Sequence, residues 1–219
     1  IKKLGTRFGW WLSGLAGGIV SSTAVSVAAG RAAQQQPAQA HHALQAALLA
    51  SSVMYLRILA LVAFLNGAFV PALAWKLATL CATGLLLAWA VRPAEDPAAR
   101  GPVSSLQNPF EILPALGFAL LFVVLGVTTQ LVQSHFGGSA LLALAGVVGV
   151  VDIDPFILSL VQGNPAPAPL LVSAILVAMM VNTLAKGLYF STLARSVRRA
   201  ALVRFVLWTA LHLPLAFLF

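Results

Sequence analysis

LLALAGVVGVVDIDPFILSL, residues 141–160, is an apolar run of bilayer-spanning length that carries two carboxylates, Asp152 and Asp154, with Pro155 directly after them. Its reading decides the rest of the chain. A carboxylate at membrane depth is costly and is usually kept for a functional reason. Successive residues of an α-helix turn by about 100°, so two positions apart the carboxylates would point to nearly opposite faces and one would meet lipid or an apolar neighbour. Breaking the helix removes the conflict. Gly146 and Gly149 lie upstream, and Pro155 biases Asp154 away from helical geometry. An unwound segment offers carbonyl oxygens beside the carboxylates, and such backbone is tolerated at membrane depth only where it is buried in protein or lines a cavity. Oxygen-rich sites of this kind suit Mg²⁺, Ca²⁺, Mn²⁺ or Na⁺, or a proton relay. The alternative is that the element ends early and the aspartates cap the next helix from an interfacial loop.

Working outward, apolar stretches recur at about 8–30, 44–65, 69–91, 112–133, 138–162, 170–194 and 200–219. Hydrophobic residues make up 60% of the chain and charged residues 8%, far below the roughly 25% charge of a soluble domain. The expectation is an all-α polytopic integral membrane protein with about seven membrane-embedded helical elements. The net charge of +8 sits mostly at the ends of apolar stretches, which fits membrane orientation and argues against nucleic acid. Cys81 has no second cysteine, which excludes a disulfide or a cysteine-based zinc site. No cleavable signal peptide is evident, and a chain that starts at Ile1 reads as a fragment or a trimmed product.

The stretch 92–108 is rich in Pro, Ala and charge and reads as an exposed linker between a first half, 1–91, with three elements and a second half, 109–219, with four. The halves suggest a repeat. GIVSSTAVSV (18–27) lies over GVVDIDPFIL (149–158), with Ser21 opposite Asp152 and Thr23 opposite Asp154; a gap of a few residues then pairs Arg57 with Lys186. Repeats of this sort are common in transporters. If all seven elements cross, the ten basic residues outside or at the edges of the apolar cores divide seven to three and the halves run parallel. If elements one and five are instead re-entrant hairpins, all ten share one side and the halves are inverted, the arrangement that the positive-inside rule favours, so elements one and five are expected to be broken or re-entrant at their polar motifs.

Gly17-Gly18-Ile19-Val20-Ser21-Ser22-Thr23 offers the hydroxyl and carbonyl oxygens of a complementary half-site, or else ordinary close helix packing. Arg57 and Lys186 lie inside apolar spans, with Asn182 one turn before Lys186. They are natural charge-compensating partners for Asp152 and Asp154 when no cation is bound; snorkelling to the headgroups is the alternative. Asn108-Pro109-Phe110-Glu111 has the form of a helix start, with Asn108 as N-cap and Glu111 in the first turn. His41-His42 lack flanking ligands, and His135 and His212 read as interfacial or core residues. No Ser/His/Asp arrangement, phosphate loop or zincin motif is present, so the chain does not read as an enzyme.

GGIVSSTA, SSVMYLR, NPFEI, GVVDID and VNTLAKG, in this order, give a resemblance covering about residues 14–193. The chain resembles the C-terminal membrane domain of unknown function found in MgtC/SapB-type bacterial proteins. That resemblance implies a multi-pass protein of a bacterial inner membrane and marks Ser21, Ser22, Thr23, Arg57, Asn108, Glu111, Asp152, Asp154, Asn182 and Lys186 as the matching positions. It links the family to magnesium homeostasis only through a different, N-terminal domain. Pro155 departs from the pattern, which would hold a small residue there.

The functional expectation is a transporter or channel for a small cation, a divalent metal such as Mg²⁺ first, or Na⁺ or H⁺. Asp152, Asp154, Ser21, Ser22 and Thr23 would be the ligands, Lys186 and Arg57 would compensate charge, and Asn182, Glu111 and Asn108 would support. No tightly bound cofactor is implied beyond the cation. The partners are the lipid bilayer and the cation, with a homodimer allowed. Two other readings stay open: a non-transporting membrane module that regulates a partner through helix contacts, and, less favoured because its acids are poorly placed to share a proton, an intramembrane aspartyl hydrolase.

Overall fold

In lipid every backbone polar group must find its partner within the segment, so apolar windows free of acidic residues fold as helices. The computed structural model describes residues 2–91, 112–162 and 168–218; the 92–108 linker, Asn108 and Glu111 lie outside them. Among the described residues the chain is helical throughout, with no strand. The helices are α1 (Lys2–Gln35), α2 (Ala40–Leu65), α3 (Val70–Trp89), α4 (Ile112–Gly149), α5 (Asp154–Val161), α6 (Ala168–Leu193) and α7 (Arg198–Phe217). Among the described residues, five segments are long and apolar enough to cross a membrane: Gly9–Gln35, Pro37–Leu65, Gly67–Trp89, Ala168–Leu193 and Arg195–Phe217. The chain is thus a helical, multi-pass membrane protein.

Two helices are discontinuous. Helix α1 breaks at Ser21, which takes an extended conformation (φ −157°, ψ 105°). Helix α4 runs through the expected boundary between the fourth and fifth elements and kinks at Gly137, where φ is +73°, a value that costs glycine nothing and strains any other residue. The fifth apolar stretch is itself divided: α4 ends at Gly149, and α5 starts at Asp154.

Two helical hairpins share one set of dimensions. Helices α2 and α6 are each 26 residues long, each followed by a three-residue 3₁₀ turn (Gly67–Phe69 and Arg195–Val197) and then by a 20-residue helix, α3 or α7.

The contacts gather into two compact units. The first comprises Ile1–Arg57, Ala78–Gln107 and Lys186–Trp208; the second comprises Ile58–Leu77, Asn108–Ala185 and Thr209–Phe219. In the first, Tyr55, Phe190, Phe205 and Trp208 are fully buried. Trp208 Nε1 donates to Leu80 O at 2.9 Å and Gln45 Nε2 to Ala88 O at 3.0 Å. Small residues let α1 lie close on α2: a Cβ on Gly18 would stand 2.7 Å from Ala50 Cα and 2.8 Å from its carbonyl oxygen. In the second unit, Gly149 likewise meets Ala178, whose carbonyl oxygen would be 2.6 Å from an added Cβ. There Ser173 Oγ donates to Ala216 O and Lys76 Nζ to Leu218 O, both at 2.6 Å.

Candidate functional site: two polar helix breaks

A helix break inside an apolar segment orphans carbonyls at the end of its first half and amides at the start of its second, and both must be satisfied. In the first unit the break is at Ser21. Its hydroxyl accepts the Ala24 N–H at 3.2 Å, the bond of an N-cap residue, so the GGIVSST motif starts the second half of α1. On the other side of the break, Arg57 Nη1 donates to Val20 O at 3.1 Å and more weakly to Ile19 O at 3.4 Å. Its charge thereby stands at the negative end of a half-helix dipole.

Lys186 is 1% exposed in the interior of α6, and Nζ donates to Ser22 Oγ at 2.7 Å and lies against Met54 Sδ. It is buried rather than snorkelling. Ser22 is itself buried, and its carbonyl accepts from Ser26 Oγ; Thr23 is half-buried. The structure therefore brings Ser21, Ser22, Arg57 and Lys186 into one polar cluster of the first unit. Met54 was not anticipated, because nothing in an apolar helix marks one methionine as the neighbour of an ammonium.

In the second unit the break spans residues 150–153. The last carbonyl of α4, that of Gly149, accepts from Asn182 Nδ2 at 3.0 Å, and Asn182 is 3% exposed. Asp152 Oδ1 accepts the Asp154 N–H at 3.1 Å, and Asp154 opens α5 with Pro155 in its first turn. The expected break is thus present, and Asp152 closes a short turn onto the first residue of α5, whose N-cap position, Ile153, makes no side-chain bond. Oδ1 of Asp152 accepts that bond, while Oδ2 has no hydrogen-bond partner among the described residues. Both aspartates are half-buried.

Among the described residues no three His, Cys, Asp or Glu side chains group together. Oxygen for a cation at Asp152 and Asp154 would therefore come from carboxylate, backbone carbonyl and water. Mg²⁺ is commonly held in that way, by one or two carboxylates and several retained waters.

The model of a domain of unknown function, DUF4010, matches residues 1–194. The chain belongs to this family. The match agrees with the expected domain of unknown function, and the MgtC/SapB association expected from the motifs forms no part of its description. An uncharacterized protein of Aquifex aeolicus (strain VF5) is 27% identical over 186 residues, covering 81% of this chain and 79% of its own length. No solved structure matches.

Proposed function

We propose that this DUF4010 chain is an inverted-repeat transporter or channel that moves a small cation across a bacterial inner membrane. The observation that carries the proposal is that both polar motifs lie at helix breaks in apolar surroundings, and at each break a polar side chain donates to a carbonyl at the end of the first half: Arg57 to Val20 O and Asn182 to Gly149 O. Discontinuous helices with satisfied backbone at membrane depth are how transporters build ion sites.

Support for the repeat comes from register. The hairpins α2–α3 and α6–α7 superpose in number with a constant offset of 128, from Ala40 to Ala168 and from Phe69 to Val197. The same offset turns the bond Gln45 to Ala88 into Ser173 to Ala216, since 45 + 128 is 173 and 88 + 128 is 216. It also relates Lys76 donating to Leu218 with Arg204 donating to Ala90, the donors 76 and 204 and the acceptors 90 and 218 each differing by 128 but with the halves exchanged. Such reciprocal exchange is the mark of a two-fold relation, because residue i meets j′ where i′ meets j. Trp208 and Leu80, joined by one hydrogen bond, are each other's equivalents. In this register Arg57 stands opposite Ala185, one residue from the Lys186 with which the sequence comparison paired it.

Asp152 and Asp154 supply anionic oxygen to the cation; Ser21, Ser22 and Thr23 supply uncharged oxygen at the other motif, and Lys186 and Arg57 supply the positive charge that balances the empty protein. Mg²⁺ is the first ion to test, because one or two carboxylates with retained waters suit it. Purified chain in proteoliposomes is expected to carry Mg²⁺, Mn²⁺, Na⁺ or H⁺, and Asp152→Asn and Asp154→Asn are each expected to lower that flux at least tenfold with the fold retained by circular dichroism. Wild-type levels of flux in both variants, or no flux of any ion by the folded wild-type chain, would remove the proposal; the second result would favour the regulatory module.

A further inference from the structure

Away from both breaks, the first unit holds an open groove of about 420 Å³ at the start of α7, lined by His41, Ser196, Arg199, Val203 and Arg204 among others. Arg204 Nη1 donates to Ala200 O at 3.0 Å and Nη2 to Ala90 O at 3.4 Å, which fixes the guanidinium and uses two of its five N–H donors. Arg199 and Ser196 are exposed and His41 is half-buried. The first turn of α7 adds the partial positive charge of a helix start. No Asp or Glu occurs among the described residues of this unit; Glu95 and Asp96 lie outside them. The groove therefore collects donors and positive charge without an acidic side chain in its lining.

What lies next to the groove is apolar. From Arg199, the positions one and two turns on along the same face of α7 are Val203 and Leu207, 50% and 61% exposed. Trp89, 69% exposed, precedes the Ala90 whose carbonyl holds Arg204. A cationic pocket that continues into an exposed apolar face, with a Trp at the junction, has the layout of the bilayer interface. In the 128-residue register, Pro169 and Pro71 stand where His41 and Arg199 line the groove, so the helical framework does not itself demand cations there.

We infer that this groove binds the phosphate of an anionic glycerophospholipid, with the acyl chains lying along Val203 and Leu207. Charge complementarity selects the headgroup, and the exposed apolar track selects a lipid over a free anion.

Native mass spectrometry of the full chain, titrated with phosphatidylglycerol or phosphatidylcholine, tests this. Phosphatidylglycerol is expected to bind at least tenfold more tightly than phosphatidylcholine. Arg199→Gln is expected to weaken it about fivefold, the loss that corresponds to about 1 kcal/mol per interfacial cation. Arg31→Gln changes an exposed cation that does not line the groove, and is expected to leave binding unchanged. Equal binding of the two lipids, an Arg199→Gln variant that binds as wild type, or equal losses from Arg31→Gln and Arg199→Gln would each overturn the site. Displacement of the lipid by equimolar inorganic phosphate would overturn its assignment as a lipid site.

Discussion

Arg57→Met keeps an unbranched stem but removes the guanidinium donors from the break at Ser21. The bonds to Val20 O at 3.1 Å and to Ile19 O at 3.4 Å are among those lost, and the second is near the limit of a useful hydrogen bond. Hydrogen bonds inside membrane bundles average about 0.6 kcal/mol and reach about 1.7. The charge at the end of the first half of α1 adds about 0.3–1 kcal/mol. Arg57 is half-buried, so water recovers part of the loss, and the sum comes to about 1–2 kcal/mol, a 5- to 30-fold change in the folded-to-unfolded ratio. Arg57→Lys keeps the charge without the planar fork and is expected to lose about half as much. The assay is reversible unfolding in bicelles, with amide hydrogen exchange read over residues 19–24; the amide of Ala24, held by the Ser21 hydroxyl, is expected to exchange faster in Arg57→Met. Unfolding and exchange both equal to wild type would show that Arg57 does not hold the break.

Asn182→Leu removes the donor to the Gly149 carbonyl at a buried position, and a loss of about 1–2 kcal/mol is expected in the same unfolding assay; no loss would mean that another group satisfies that carbonyl. Gly18→Ala drives a Cβ into the backbone of Ala50 and is expected to cost about 1–3 kcal/mol through overpacking. Gly146→Ala meets nothing within 4 Å and is expected to be neutral or to stabilise by up to about 1 kcal/mol through helix propensity. Equal effects of these two substitutions would contradict the close approach of α1 to α2.

What the amino-acid sequence settled by itself was local. Long apolar windows without acidic residues could only become membrane helices, and the pairing of Asp152 with Asp154 beside Gly149 and Pro155 placed a break there because no intact helix could bury both carboxylates. GGIVSST was the weaker signal, since small and hydroxylated residues also serve plain helix packing, yet α1 does break at Ser21. The partners were decided by the tertiary structure. Lys186 reaches Ser22 across 164 residues, Asn182 takes the carbonyl of Gly149, and Arg57 donates to the carbonyl of Val20 at the end of the first half of α1. The matching lengths of the α2–α3 and α6–α7 hairpins also emerged only from the helix bounds. The physical reason is the same in each case. Apolar helices built from Ala, Leu and Val fit one another in many registers, so the sequence shows that a polar group must be satisfied, and only the packing of small residues such as Gly18 on Ala50 and Gly149 on Ala178 determines which side chain comes close enough to do it.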